Sequence, residues 1–200
     1  MLDVTKFDNR EILPPKQESL LDKLNPFKSK EFEQGDFAGI RFDFLPSSNG
    51  TWSGDRGESV WIPDENHKPE CRTPNCRENP DNLTWGEIMA KYDIDGIPFK
   101  DDYPDFSEVA VGEVEIDDFG TDRQKNFDQA DEKLAEQWTK EGKDGKEWTS
   151  EDVKLWRKEN NYTWHECEDC KTMQLVPTEV HNNVPHEGGI SKAKQQESQQ

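Results

Sequence analysis

Aromatic residues supply much of the apolar material of this chain and determine the kind of core that it can build. Of its 200 residues, 30% are hydrophobic and 34% are charged, a polar balance for a chain of this length. Seven tryptophans and ten phenylalanines offset that balance, because each buried aromatic side chain removes a large area from water. The composition therefore predicts one domain with a modest aromatic core, long irregular segments and a disordered end.

The net charge of −19 bears on which class of molecule this protein can bind. Proteins that bind nucleic acids are usually basic, because the release of counterions from phosphates supplies much of their affinity. An acidic chain can still cut DNA where a bound metal ion and a few local Lys or Arg residues form the contact surface. The same charge favours the alternative that the surface meets a basic protein.

The sequence contains no apolar run long enough to span a membrane. Its first residues, Met1–Lys6, lack the basic and apolar regions of a secretory signal. We therefore expect either a cytosolic protein or a piece of something larger that is exported by other means.

The first part of the chain shows few regular patterns. Residues 1–45 are typical of a leading linker segment, with a short helical turn at Leu20–Leu24 and an extended arm over Phe37–Phe44. Residues 46–82 are rich in Gly, Pro, Ser and Asn, which predicts a long loop region. At the other end, residues 192–200 are mostly Lys, Gln, Ser and Glu and predict a disordered tail.

Three helices are predicted between these ends. Thr84 and Glu87 form a capping-box pattern that opens a helix to about Tyr92. Apolar residues recur at helical spacing from Asp122 to Trp138 and predict an amphipathic helix. A third helix is expected to begin at Thr149 and to end near residues 160–161.

The region after Asn161 changes character. Residues 162–166 and 173–176 favour two strands, and residues 168–171 favour the turn between them. Pro177 stands where the first residue of a helix would lie, and residues 178–182 continue that helix. A further strand is predicted at residues 114–116. The last block therefore predicts strand, turn, strand and short helix.

Three of the four histidines fall within this block, at His165, His181 and His186. A hairpin followed by a helix brings His165 and His181 toward one small volume. Pro185 would break the helix and let the chain return His186 to the same point. Clustered neutral imidazoles bind Zn²⁺, Ni²⁺ or similar ions, or supply a general base. Three surface histidines around a turn are the alternative, and His67, alone in the loop region, is interpreted in that way.

The same block resembles the closing motif of bacterial toxin nucleases of the HNH/endonuclease VII superfamily, in its Trp-His-His and Glu-His-His-His branches. The similarity covers roughly residues 57–191. Its strongest part is the run from Tyr162 through Trp164-His165-Glu166 to His181, His186 and Gly188-Gly189. Weaker likeness is found upstream in Asp95-Gly-Ile97, Pro104-Asp-Phe-Ser107, Val114-Glu-Ile-Asp117, Asp122-Arg123, Asn126-Phe127 and Ala130-Asp131.

The resemblance implies a ββα-metal (His-Me finger) fold and divalent-metal hydrolysis of DNA. It matches His165 to the histidine at the end of the first strand, and His181 and His186 to the later histidines of the metal site. Many relatives have a second histidine where this chain has Glu166, and no residue matches the asparagine of the HNH name. We assign His165 as the base, Glu166 as its assistant or a ligand, and His181 and His186 as ligands. The assignment with His165 as a ligand stays open.

Glu115 and Arg123 belong to a charged cluster between the predicted strand and helix. The resemblance matches Glu115 to the leading glutamate of the Glu-His-His-His set, which would orient a catalytic histidine. Arg123 could meet a phosphate of the substrate. A solvated turn that caps the helix is the alternative for the whole cluster. Pro104–Ser107 are interpreted as a structural corner, and Gly188-Gly189 as a close backbone turn.

The cysteines form two close pairs, Cys71 with Cys76 and Cys167 with Cys170. Paired spacing is what a four-cysteine zinc site uses, with each pair forming one knuckle. Such a structural zinc would clip residues 46–82 onto the catalytic unit and stabilise a chain that is short of apolar residues. Disulfides and four unlinked thiols are the alternatives.

Together these features predict an α+β domain over residues 46–191. A helical, loop-rich N-terminal part would cover a ββα-metal unit at residues 161–190 and be stapled to it by zinc. The expected activity is metal-dependent, non-specific cleavage of DNA by an exported bacterial toxin that acts in the target-cell cytoplasm. The catalytic ion would be Mg, Mn, Ni or Zn, and an immunity protein would be the partner. The alternatives are a catalytically inactive zinc-binding interaction module and an RNase on the same fold.

Overall fold

Two small antiparallel sheets form the β part of the molecule. The computed structural model describes residues 44–72 and 75–198, so the helical turn and most of the arm expected before Phe44 lie outside the described residues. The first sheet has the strand order β1-β2-β3-β4. Its strands are β1 (Gly50–Trp52), β2 (Val60–Pro63), β3 (Ile97–Lys100) and β4 (Tyr103–Pro104).

The second sheet has the strand order β5-β7-β6 and contains the predicted hairpin. Its strands are β5 (Gly112–Glu115), β6 (Tyr162–Glu166) and β7 (Thr172–Pro177). His165 lies opposite Gln174 in this hairpin, and Trp164 lies opposite Leu175. The sheets and the helices together confirm the mixed α+β class expected from the sequence.

Helices begin and end where the sequence provides caps. Helix α1 (Trp85–Tyr92) opens with the expected Thr84–Glu87 capping box, and α3 (Ser150–Glu159) opens with a box made by Thr149 and Asp152. Helix α2 (Arg123–Glu141) is capped by Asp122 and ends at Gly142, whose left-handed conformation suits glycine. The short helix α4 (Thr178–His181) follows directly after Pro177.

The two regions expected to be irregular contain regular elements. Strands β1 and β2 lie in the stretch predicted as loop, where Thr51 pairs with Ile62 and Trp52 with Trp61. Helix α5 (Gly189–Glu197) occupies most of the tail predicted as disordered. Its Ala193 is buried, and the side chain of Glu197 accepts a hydrogen bond from Thr121 Oγ1. Composition missed both segments because tertiary contacts, rather than local propensity, hold them.

Buried side chains form two hydrophobic cores, and β7 contributes to both. The first core lies around the first sheet and α1, and it includes Trp61, Trp85, Ile88, Ile97, Phe99, Phe106, Val176, Val180 and Val184. The second core lies around α2, α3 and the second sheet, and it includes Val114, Leu134, Trp138, Val153, Trp164, Met173 and Leu175. The hairpin and α4 are therefore anchored from two sides.

Polar contacts reinforce the second core. Arg157 donates to both carboxylate oxygens of Asp131 at 2.9–3.2 Å, and Trp164 Nε1 donates to the same carboxylate at 2.8 Å. All three residues are buried, so this contact fixes β6 against α2 and α3. None of the helices in the described part of the chain is long and apolar enough to cross a membrane.

Candidate metal centre

Three histidines from different parts of the last block converge on one point. His165 lies on β6, His181 is the last residue of α4, and His186 follows Pro185. One ligand atom from each imidazole lies within 4.8 Å of the others. This histidine cluster (His165, His181 and His186) is the group in the described ranges that could hold a metal ion.

Hydrogen bonds select which nitrogen of two imidazoles faces the cluster. His181 Nδ1 lies 2.9 Å from the Asn182 Oδ1 oxygen, and His186 Nδ1 lies 2.7 Å from the Val184 carbonyl oxygen. Because both oxygens are acceptors, each Nδ1 carries the proton and each Nε2 keeps its lone pair. A carbonyl or amide oxygen that orients a ligand histidine in this way is typical of metal sites.

The spacing of the nitrogens fits a metal ion. His165 Nδ1 lies 3.2 Å from His181 Nε2. Two nitrogen ligands of tetrahedral Zn²⁺, each about 2.0–2.1 Å from the ion, would be about 3.3 Å apart. Three neutral imidazoles also match the donor set of catalytic sites that keep a fourth position open. The residues therefore fit a borderline ion such as Zn²⁺ or Ni²⁺.

Burial keeps these imidazoles neutral. Desolvation lowers the pKa of His165 well below its ordinary value, and the neighbouring His181 and His186 lower it further. Burial and the nearby His186 lower the pKa of His181 to about 3, and burial also lowers the pKa of His186. All three therefore offer lone pairs at neutral pH, which is the form that binds a metal.

Phe106 forms an apolar wall of the cluster. Its ring centroid lies 4.9 Å from that of His165, 5.5 Å from that of His181 and 5.4 Å from that of His186. The side chain is 1% exposed. The segment interpreted as a structural corner therefore also contacts all three imidazoles, and such an apolar wall controls the access of solvent to a metal site.

Helix α4 is only four residues long and is held by contacts to α1. The buried Glu179 accepts hydrogen bonds from Lys91 Nζ at 2.9 and 3.0 Å and from the Tyr92 hydroxyl at 3.1 Å. Asn183 Nδ2 donates to the Glu179 carbonyl oxygen at 2.8 Å. These contacts fix the end of the helix that presents His181.

Glu166 lies beside the cluster and is bound by two donors. Its Oε1 accepts from Asn126 Nδ2 at 2.9 Å, and its Oε2 accepts from Arg123 Nε at 3.0 Å. Burial raises the pKa of Glu166, while the contacts with Asn126 and Arg123 oppose that rise. A carboxylate has about four lone-pair sites, so its oxygens retain capacity to accept a further proton.

The histidine cluster opens into a cleft of about 1060 Å³. Glu166 and Arg123 line this cleft together with the three histidines. Another part of its lining comes from nine residues of segments 44–49 and 67–72, namely Phe44, Leu45, Ser47, Ser48, Asn49, His67, Pro69, Glu70 and Arg72. The site is therefore accessible to a ligand much larger than a metal ion.

Glu115 is not brought to the cluster. Its side chain is 62% exposed, forms an ion pair with Lys171, and does not contribute to the lining of the cleft. The sheet order explains this position, because Glu115 lies on β5, which β7 separates from β6 and its His165. The match of Glu115 to a leading glutamate predicted that its side chain would lie close to the histidines. In the structure the side chain lies away from them.

The cysteines adopt an arrangement different from a single four-cysteine zinc site. Cys71 and Cys76 form a disulfide, whereas Cys167 and Cys170 are free thiols in the turn between β6 and β7. Sulfurs that are bonded to each other cannot supply two thiolate ligands. The disulfide alternative therefore describes the first pair, and the thiol alternative describes the second.

Gly188 and Gly189 pack closely against the strand end, as expected from the sequence. A Cβ atom at Gly188 would lie 2.8 Å from the Glu166 carbonyl oxygen, and one at Gly189 would collide with the Cys167 carbonyl oxygen. The chain after His186 can therefore approach β6 only with glycine at these positions.

The family model described as the DNase/tRNase domain of colicin-like bacteriocin matches residues 90–188. This match supports a bacterial toxin nuclease. No curated protein and no solved structure matches the chain.

The matched segment contains the histidine cluster, Phe106, Arg123 and Glu166. It leaves out the first two strands and the part of the cleft formed by residues 44–49 and 67–72. The family match thus covers the candidate metal ligands and the two charged residues beside them, Arg123 and Glu166.

Sequence reasoning missed four contacts of the site. Asn182 is a single polar residue whose partner is set by folding, and it was assigned no role. Arg72, which donates a hydrogen bond to the Asn182 carbonyl oxygen, stands in the stretch predicted as loop. Asn126 and Phe106 had a signal, because Asn126-Phe127 and Pro104–Ser107 were already part of the resemblance.

Proposed function

We propose that this protein is a metal-dependent, non-specific DNA endonuclease that acts as an antibacterial secreted toxin. The observation that carries the proposal is the histidine cluster, which lies in a cleft and within the segment that matches a toxin nuclease model. The strand-turn-strand-helix order around it supports a ββα-metal unit of the HNH type.

In this proposal His165, His181 and His186 hold one divalent ion. His165 is assigned as a ligand rather than the base, because its Nδ1 faces His181 Nε2 at 3.2 Å and belongs to the same ligand set. When bound, the ion would supply Lewis-acid stabilisation of the negative charge that develops on a phosphodiester. Asn182 and the Val184 carbonyl hold two of the imidazoles in the tautomer required for binding.

Glu166 and Arg123 carry the other two roles. Glu166 stands where many relatives have a second histidine, and it is the proposed proton acceptor for the attacking water. Burial raises its pKa, which is the direction that makes a carboxylate a stronger base, and Asn126 fixes its orientation. Arg123 donates its Nε–H to Glu166, and its other N–H groups can donate to the phosphate. Glu115 has no role in this proposal.

The biological setting follows from the same proposal. The toxin would act in the cytoplasm of a target bacterium, and a cognate immunity protein would protect the producing cell. A chain with a net charge of −19 fits a partner with a basic surface.

Plasmid cleavage tests this function. Purified protein is incubated with supercoiled plasmid and Mg²⁺, Mn²⁺, Ni²⁺ or Zn²⁺, beside a His165→Ala variant and a chelator control. We expect nicking that needs the ion and that the variant lacks. Absence of nicking with every ion, or equal nicking by the variant, would contradict the proposal.

RNA is the second candidate substrate, because the description of the matching family includes tRNase as well as DNase. Parallel digestions of DNA, total RNA and tRNA at equal nucleotide concentration would separate the two. An inactive zinc-binding module would bind metal and cleave none of these substrates.

A further inference from the structure

Arg72 lies in the cleft but outside the segment that matches the nuclease family. One of its Nη atoms donates a hydrogen bond to the carbonyl oxygen of Asn182. Asn182 follows His181 directly, and its side chain is the acceptor for His181 Nδ1. The guanidinium of Arg72 is therefore placed at the α4 side of the histidine cluster.

Described residues close to Arg72 in sequence are anchored. Its neighbour Cys71 forms a disulfide with Cys76. The buried Asn79 donates to the Pro69 carbonyl oxygen at 3.0 Å and to the Leu83 carbonyl oxygen at 2.9 Å. A long side chain on an anchored backbone loses less entropy on binding than one on a mobile loop.

Arg72 and Arg123 occupy corresponding positions around the cluster. Arg123 is bound to Glu166, the residue that follows His165, whereas Arg72 is bound to the residue that follows His181. Each guanidinium has five N–H donors, and these hydrogen bonds to described residues use one donor of each. Two planar donor groups thus flank the metal ligands, one on the β6 side and one on the α4 side.

The charge of the surrounding region makes the position of Arg72 informative. Between Phe44 and Asp122 the sequence has 19 acidic and 6 basic residues, a net charge of −13. Among the described residues that line the cleft, Arg72 and Arg123 are the Lys or Arg residues. Within this acidic region, Arg72 is therefore the cationic side chain that a polyanion in the cleft would meet.

We infer that Arg72 binds a phosphate of the nucleic-acid backbone next to the scissile one. This inference rests on the proposed nuclease function and specifies its substrate class: a polynucleotide with a phosphate beyond the cleaved bond. Arg123 contacts the scissile phosphate, and Arg72 contacts the neighbouring one. A diester with a single phosphate has no group for Arg72 to bind.

The test compares two substrates in the full-length protein. The first is a DNA oligonucleotide, and the second is bis(p-nitrophenyl) phosphate, which has one diester and no neighbouring phosphate. For Arg72→Ala we expect kcat/KM on DNA to fall about tenfold to a hundredfold, the range of a charge-assisted hydrogen bond. On the small diester we expect a change of less than about twofold, whereas Arg123→Ala lowers both activities.

Lys68→Ala is the matched control, because it removes the same charge from an exposed position that does not line the cleft. Binding of a labelled DNA duplex in a chelating buffer gives a readout that needs no catalysis. There Arg72→Ala should lower the salt slope of log K by about one, and Lys68→Ala should leave it unchanged. The melting temperature and Zn²⁺ affinity of each variant check that the metal site is intact.

The possible outcomes separate the two proposals. An equal loss on both substrates, no loss on DNA, or the same loss in Lys68→Ala would overturn the role of Arg72. If the unmodified protein cleaves neither substrate, the nuclease proposal fails. In that case the salt slope still tests phosphate binding at Arg72, and an unchanged slope overturns it.

Discussion

The two hydrophobic cores differ in how they are built and in what they contribute to the site. The first core is surrounded by strands of two to four residues and by the eight-residue α1, whereas the second is covered by α2 with 19 residues and α3 with ten. Residues 44–122 carry 19 acidic and 6 basic side chains, but residues 123–198 carry 16 and 12. The second region, residues 123–198, therefore has the longer helices and the smaller excess of acidic side chains.

This difference indicates how an acidic chain can build the proposed nuclease site. The longer helices of the second core support β6, which carries His165 and Glu166. The first core receives Val180 and Val184, which flank His181 in sequence, and thus holds α4 from the other side. The histidine cluster forms only where the two cores meet on β7, so changes in either core should affect it.

The largest effect is expected from breaking the buried ion pair of the second core. In Arg157→Met, the buried Asp131 carboxylate loses its hydrogen bonds from Arg157 and keeps the one from Trp164. An uncompensated buried charge costs about 3–5 kcal/mol, so the free energy of unfolding should fall by about that amount. Urea unfolding measures it. The exposed neighbour Lys158→Met should change stability by less than about 0.5 kcal/mol, and a similar loss in both variants would contradict this view of the core.

Loss of one metal ligand should remove catalysis while sparing the fold. In His186→Ala we expect the rate of plasmid cleavage to fall at least about a thousandfold, because the Lewis-acid contribution of a bound ion is worth several kcal/mol. Cleavage rates at saturating metal measure it, and His67→Ala, a histidine of the cleft outside the cluster, is the control. Normal cleavage by His186→Ala would remove that residue from the site.

A smaller loss is expected at Glu166. Glu166→Gln keeps the shape of the side chain but removes the proton acceptor, so kcat should fall about a hundredfold or more. Metal affinity should stay within about threefold of the unmodified protein, since Glu166 is not one of the proposed ligands. If the variant loses metal and activity together, Glu166 is a ligand rather than the base.

The pH dependence of stability tests the buried histidines. In the metal-free protein their folded-state pKa values lie below the ordinary value, so the unfolded chain takes up protons first as the pH falls. Stability is therefore fully retained above pH 6.5 and declines below it, by about 1.4 kcal/mol per pH unit for each histidine. Urea unfolding from pH 7.5 to 5 in a chelator measures the slope. His181→Gln should reduce the slope by about one proton, and an unchanged slope would contradict the burial of His181.

The smallest effect concerns the packing of Lys143 on the tryptophans of the second core. Its Nζ lies 3.5 Å from the ring centroid of Trp138 and 4.9 Å from that of Trp156. Lys143→Met keeps much of the aliphatic contact but removes the cation–π attraction, so stability should fall by about 0.5–1 kcal/mol. Thermal unfolding measures this change. Lys140→Met, an exposed position at the end of α2, should have no measurable effect.

The sequence predicted the second region well because its signals are local. The caps at Asp122 and Thr149, the helical spacing of α2 and the hairpin pattern all depend on neighbours within a few residues. The convergence of the three histidines was also expected, since a hairpin followed by a helix places their positions close together.

The rest depended on long-range contacts. Strand β1 is recognisable only through its pairing with β2, and α5 through its packing after Gly188-Gly189. Likewise, the bonds of Glu166 to Arg123 and Asn126 join residues separated by 43 and 40 positions. No short pattern encodes such contacts. The exposed position of Glu115 agrees with the alternative of a solvated cluster rather than with its match to a leading glutamate.

The count of bound metal ions in His165→Ala tests the central claim most directly. The protein is loaded with Zn²⁺, dialysed and analysed by mass spectrometry, beside a Cys167→Ser/Cys170→Ser control that leaves the histidines intact. The histidine-cluster account predicts that the unmodified protein and the cysteine control each keep one ion at this site, and that His165→Ala loses it. An inactive His165→Ala that retains its ion, or a cysteine control that loses it, would contradict the account.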